Sequence, residues 1–254
     1  MSDSGYASAD GYGAQPGYAF PTATPTVARH VVGREQAPLL VLDGLMAHPR
    51  ALVDFAARAV EFRPLIDAGN FYPGIRAPAP QAYMQSLFKL VAPLIAETFG
   101  LLGLPERATC AYSITTLPPE VLAPVQRVPH FDTPHSGQIA VLHYLSDHHS
   151  GTSFYRHRST GFESITPDRV QPYAARLREE LEASPPPSAY AAGDTELFER
   201  IHAVEPRFDR AIVYRGRMLH SGDIDPARDL DPSPTTGRLT LNAFITWPDS
   251  EGEG

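Results

Sequence analysis

Cysteine is nearly absent: Cys110 is the only one in 254 residues. An internal disulfide and a multi-cysteine metal site are therefore excluded, and the chain suits a reducing compartment. Cys110 sits in a strand-like run, CAYSITT, and reads as a small core residue. Long hydrophobic runs are missing too. No stretch approaches the roughly 18 apolar residues that a membrane span needs, so no membrane partner is expected. The N-terminus lacks a basic region followed by an apolar core, and no secretory leader is expected. Positive charge is scarce, with 21 Lys and Arg against 29 Asp and Glu, a formal net charge of −8 and a pI near 5.6. No Lys/Arg run compensates locally, which argues against a nucleic-acid partner, because nothing attracts a phosphate backbone. The expectation is a soluble, cytoplasmic protein. Its oligomeric state cannot be read from these features.

Hydrophobic residues make up 43% of the chain, enough for a sizeable single core. Residues 1–26 are poor in aliphatic side chains and carry GY three times. They read as a disordered low-complexity tail, because they cannot bury enough apolar area to offset the entropy of ordering. A single folded domain is expected over 27–248, followed by an acidic flexible tail at 249–254. Within it, APLLVLDGLM (37–46) is strand-like and 47–62 has helical periodicity. FYPGIRAPAP (71–80) reads as a Pro/Gly connection. Residues 82–100 place Leu87, Val91, Leu94, Ile95 and Phe99 on one helical face, with a break or kink at Pro93 and a stop at Gly100. From about 107 the pattern changes to short β-branched and aromatic runs, interrupted by one helix at 167–184. The fold class is mainly β with flanking helices (α+β): an antiparallel sandwich or barrel preceded by helices.

The chemistry concentrates in VPHFDTPHSGQIAVLHYL (128–145). An HxD pair alone barely exceeds chance in a chain with 10 histidines. In an extended segment, however, residues i and i+2 project from the same side, so His130 and Asp132 can offer a nitrogen and an oxygen to one ion. A third ligand must come from another strand, and His220 in RAIVYRGRMLHSGDI is the candidate. Two histidines and one carboxylate leave positions open on the metal, which suits a non-haem Fe(II) centre that binds a co-substrate and dioxygen. Closed structural zinc takes four protein ligands. Downstream, GRLTLNAFITW offers Arg238, with Thr240 on the same strand face. A guanidinium and a hydroxyl make a natural clamp for the far carboxylate of a 2-oxo acid.

With HFD (130–132), LHSG (219–222) and GRLT (237–240) in this order, the sequence resembles the 2-oxoglutarate/Fe(II)-dependent dioxygenase superfamily, in its prolyl-4-hydroxylase-like branch. The resemblance spans about residues 37–248. It implies a double-stranded β-helix (jelly-roll, cupin-like) core with N-terminal helices packed on one sheet. It also implies Fe(II), 2-oxoglutarate and O2 as reactants, with hydroxylation of a C–H bond and release of succinate and CO2. By the same match Tyr144, in HYLSDHHSG, would help hold the 2-oxoglutarate carboxylate, and Tyr112 would lie beside the co-substrate. The YPGIRAP and GTSFYRHRSTGFE stretches look like a group of bacterial relatives within that branch. The substrate would be a small molecule or a peptide.

One spacing departs from the pattern, since Arg238 lies further beyond His220 than the family usually places its basic residue. DIDPARDLDPSPTT reads as a loop inserted between two adjoining strands, and Arg228 within it is the rival clamp. Alternation turns His143 away from Tyr144, toward Ile139 and Val141, as a packed histidine. His135 falls in a turn at the rim of the site, His148 and His149 in a solvated loop. Tyr155, Arg156 and His157 are substrate-contact candidates, a positive surface patch being the other reading of that run. Two further functions stay open: a cupin-like metal enzyme that uses no 2-oxoglutarate, and a non-catalytic ligand-binding module on the same fold.

Overall fold

The strand-rich runs form two antiparallel sheets in the computed structural model, which describes residues 19–64, 72–146 and 149–249. In chain order the elements are β1 (Thr26–Val32), β2 (Ala37–Asp43), α1 (Arg50–Arg58), β3 (Arg63–Pro64), β4 (Gly74–Pro78), α2 (Gln81–Phe99), β5 (Arg107–Thr115), β6 (Gln138–Tyr144), β7 (Thr152–His157), α3 (Val170–Ala183), β8 (Phe198–Val204), β9 (Arg210–Arg215), β10 (His220–Gly222) and β11 (Leu239–Thr246). The large sheet has the order β1-β2-β9-β6-β11-β5-β4-β3, and the small one β10-β7-β8. No described helix is long and apolar enough to cross a membrane.

The central strand β6 is buried along its whole length, and its alternation divides two cores. Ile139, Val141 and Leu145 join the layer beneath the helices. Ala140, Leu142 and Tyr144 face the small sheet with Phe154, Tyr214 and Met218. Helix α2 lays Tyr83, Leu87, Val91, Ile95 and Phe99 on the first layer. Its recurring four-residue spacing matches one helical face. Truncating one of these, Leu87 for instance, costs about 2–5 kcal/mol. The helix continues through Pro93 and ends at Gly100, whose φ of +70° supplies the left-handed cap. Of the kink or break expected at Pro93, the break does not occur: the helix runs on, with Val91 and Ile95 on either side anchored at 0% exposure.

Three boundaries differ from expectation. Folded chain begins before residue 27: Phe20 is buried and meets Phe55 edge-on, and Thr22 bridges to Met46. The rest of the expected N-terminal tail, residues 1–18, and residues 250–254 of the C-terminal one lie outside the described residues. The stretch read as a Pro/Gly connection contains β4, which pairs with β5. The loop before β11 does not link adjoining strands, since β10 belongs to the small sheet and β11 to the large one. A 3-residue strand such as β10 carries too little alternation to be assigned to a sheet from sequence.

Candidate metal centre

His130 lies outside the named strands but forms an antiparallel bridge with His220. The two backbones exchange hydrogen bonds, His130 N to His220 O at 2.9 Å and His220 N to His130 O at 2.8 Å. Antiparallel partners project from one face, and the imidazole centroids stand 4.4 Å apart. Two residues on, Asp132 N donates to Gly216 O at 2.7 Å, which holds the carboxylate on the same side. Gly216 lets the two segments approach closely, since a β-carbon there would stand 2.7 Å from Gln138 Oε1, which would have to move aside.

The result brings one ligand atom from each of His130, Asp132 and His220 within 4.8 Å of one another. His130 Nε2 is 4.0 Å and His220 Nε2 3.8 Å from the Asp132 carboxylate. These separations are too long for hydrogen bonds and short enough for one ion to touch all three. His220 Nδ1–H donates to Met218 O at 2.9 Å, which leaves Nε2 with its lone pair toward Asp132. Burial pushes His220 down to about 4. It pushes His130 to about 4 as well, helped by His220 and opposed by Asp132. The His220 side chain is 8% exposed and that of His130 57%, so water at the His130 ring weakens the effect of burial there. Burial also raises Asp132 to about 6, against the pull of His130 and Arg76. Two neutral imidazoles and one carboxylate, with few other partners, are a donor set that fits a divalent cation.

A second group lines the large sheet beside the centre. Thr240 on β11 pairs in register with Tyr144 on β6 and with Ser113 on β5. The Tyr144 hydroxyl donates to Thr152 Oγ1 at 2.7 Å, and burial raises it to about 12 against the pull of Arg238. Thr240 Oγ1 donates to Ser113 O at 3.3 Å. Arg238 is 5% exposed; its Nε donates to Ser150 O at 2.8 Å and its Nη2 to Gly151 O at 3.0 Å. Arg228 stays outside, its side chain 53% exposed and 3.4 Å from Asp225.

Other expected site residues are placed elsewhere. Tyr112 points into the helix-side core, stacked on Phe55, and donates to Leu52 O at 2.9 Å. It is on the opposite face of the sheet from Thr240, because adjacent strand positions alternate. His135 is held in its turn, with Nδ1 accepting from Gly137 N at 3.0 Å and Nε2 3.3 Å from Asp249. Tyr155 is enclosed with Phe198 and Leu219. Arg156 does not form a surface patch, since it is 7% exposed. It is buried between Glu163 and Glu199, and Glu163 in turn accepts the backbone N–H groups of Arg34 and Glu35 in the β1–β2 turn. His157 donates or accepts between Thr160 and Glu180 under α3. His149 is not solvated: it bonds Asp229 at 2.9 Å and Thr236 O at 3.0 Å. His148 lies outside the described residues. His143 packs as expected, stacked on Tyr83 and bonded to Asp209 at 3.0 Å.

Sequence reasoning missed Arg76, Gly216 and Met218. Two surface hollows, of about 430 and about 380 Å³, are lined by none of His130, Asp132 and His220. Their charged walls are already paired, as Arg176–Glu180 and Arg169–Glu35.

Residues 23–245 match a protein family described as "Family of unknown function (DUF6445)", and the chain belongs to that family. Comparison with curated proteins gives no match.

Proposed function

We propose that this member of the family is a non-haem Fe(II)/2-oxoglutarate-dependent oxygenase on a double-stranded β-helix core. The observation that carries the reading is the convergence of HFD and LHSG: two histidines and one aspartate from distant segments, within 4.8 Å of one another. Two facing antiparallel sheets, with α1 and α2 on the outer face of the larger and α3 against the smaller, are compatible with that core. His130 and His220 contribute neutral nitrogens, and Asp132 one negative charge. Three protein ligands on one side leave other positions accessible, as an oxygenase needs and a closed structural site does not. Fe(II) held there supplies dioxygen chemistry, with 2-oxoglutarate as the two-electron reductant that leaves as succinate and CO2.

The chain's own residues do the rest. Arg238, Thr240 and Tyr144 form a cationic, hydroxyl-bearing wall for the far carboxylate of the 2-oxo acid. Leu142, Phe154 and Tyr214 fill the space between the sheets and keep water from the reacting region. A carboxylate at position 132 favours hydroxylation of a small-molecule or peptide C–H.

The test is succinate formation from 2-oxoglutarate under air with Fe(II) and a substrate panel, alongside Fe(II) binding by calorimetry. Absence of both sinks the reading. One observation favours a second reading, a cupin-like metal enzyme that uses no 2-oxo acid: two Arg238 donors are already committed to backbone carbonyls. That enzyme would bind metal but give no spectral change with 2-oxoglutarate in anaerobic titration.

A further inference from the structure

The row that carries Asp132 continues past it. Asp132 N donates to Gly216 O at 2.7 Å, and Gly216 N donates to Gln138 O at 3.1 Å. Gly216 therefore stands between Asp132 and Gln138 and contributes no side chain to hold them apart. Gln138 opens β6 and shares the face of Ala140, Leu142 and Tyr144, because alternate positions of a strand point the same way. That face looks into the space between the sheets, where Tyr214 meets the His220 ring edge-on at 4.9 Å. The place where a Gly216 β-carbon would sit is 2.7 Å from Gln138 Oε1 and 3.5 Å from Asp132 Oδ2. The amide and the carboxylate thus come together over the glycine.

Two deficits meet there. Gln138 is 8% exposed, and its buried Oε1 has no hydrogen-bond partner. Among the described residues no side chain donates to the Asp132 carboxylate, whose imidazole neighbours stay at 3.8 and 4.0 Å. A buried acceptor left unmatched is costly, and two acceptors side by side gain nothing from each other. Half a turn of the amide removes both deficits. It exchanges oxygen for NH2 in nearly the same outline, so a donor takes the place of the orphaned oxygen beside Asp132. A carboxylate that gives one oxygen to a cation needs such a partner for the other, and partners of this kind fix the ligand's orientation.

We infer that Gln138 is a positioning residue of the metal centre: its Nε2–H donates to Asp132 Oδ2 when the centre is loaded, and leaves the other carboxylate oxygen to the ion. This role rests on the metal centre proposed above and adds to it a residue that touches neither the ion nor a substrate. It also accounts for Gly216, since a side chain there would push the amide away from the carboxylate.

The experiment uses the full chain. Mn(II) affinity is measured by calorimetry for wild type, for Gln138→Met, which keeps the length but cannot donate, and for Gly216→Ala, whose methyl moves the amide aside while Gln138 stays. Both variants should bind Mn(II) about tenfold more weakly. Metal-free Gln138→Met should melt no lower than wild type, because an unmatched acceptor is gone; a purely structural glutamine would lower the melting temperature instead. A second readout needs no variant. In isotope-labelled wild type followed by NMR, loading with diamagnetic Zn(II) should move one Gln138 side-chain amide proton downfield and slow its exchange with solvent. If the methionine variant melts lower, this signal decides alone. Unchanged Mn(II) affinity in either variant, or Gln138 amide protons that Zn(II) leaves where they were, overturns the inference and spares the centre. Failure of wild type to bind Mn(II) and Zn(II) overturns the proposed function, and this inference with it.

Discussion

Replacing Asp132 by Asn separates a ligand from a structural residue, because the two roles predict opposite changes in stability. In the metal-free protein the carboxylate is raised from 3.8 to about 6, chiefly by burial, and its imidazole neighbours stand at 3.8 and 4.0 Å, beyond hydrogen-bond range. A rise of that size corresponds to roughly 3 kcal/mol. The side chain retains 16% exposure and the rest of the residue more, so solvent screening reduces the working figure to about 1–2 kcal/mol. A folded-state value above the unfolded one means that the folded protein holds the proton more tightly. The cost is therefore absent below pH 3.8, grows as the pH rises toward about 6, and is complete above it. At pH 7.5 metal-free Asp132→Asn should melt a few degrees above wild type, and at pH 3.5 the two should coincide. Adding Mn(II) at about a hundred times its dissociation constant stabilises wild type by about 2.7 kcal/mol, and the variant should lose most of that gain. The assay is thermal unfolding by circular dichroism, with and without metal. A variant that melts lower without metal, or that Mn(II) stabilises as much as wild type, refutes the reasoning.

Two further outcomes test the scaffold around the centre. Glu163→Ala leaves the buried Arg156 with Glu199 alone and removes the acceptor for the β1–β2 turn, so urea unfolding should show a loss of about 3–5 kcal/mol; an unchanged midpoint would mean that the pair contributes nothing. Burial opposes ionisation of Asp229, yet hydrogen bonds from Ser150, Asp225 and His149 hold its carboxyl below 3.8. Its contribution is thus present above pH 3.8 and lost as the pH falls through the folded value. Asp229→Asn should accordingly be less stable than wild type at pH 5.5, with the gap narrowing toward pH 2.5 in urea titrations.

The parts of the fold legible in sequence were those whose periodicity and burial agree. Helix α2 repeats its apolar positions every four residues, and β6 alternates between two cores, so both could be drawn without coordinates. His143 could be separated from Tyr144 on the same ground: adjacent strand positions face opposite ways. The same rule, applied to a longer reach, would have excluded Tyr112. Its partner across β5–β11 is Leu241, not Thr240, and that register is not visible until the strands are paired. The surface-patch reading of Arg156 and the solvated reading of His149 fail because a charged or polar residue in a polar run looks solvated until its partners, Glu163 and Asp229, are brought to it from elsewhere in the chain.

The three arginines illustrate why spacing along the chain cannot assign such roles. Arg228 and Arg238 drew attention because they follow His220, and Arg76 did not because it precedes HFD in a stretch dominated by Pro and Gly. Exposure and partners sort them differently. Arg228 is half in water beside Asp225, where screening makes it a poor anchor for a ligand. Arg238 is buried, with two donors on backbone carbonyls, so its plane is held rigidly and what it offers a ligand is the remainder of its fork and its charge. Arg76 is partly buried, with its Nε lacking a hydrogen-bond partner and its guanidinium 4.6 Å from the centroid of the Tyr72 ring. An unmatched buried donor persists in a stable protein only at a cost, which the chain spacing of an arginine does not reveal.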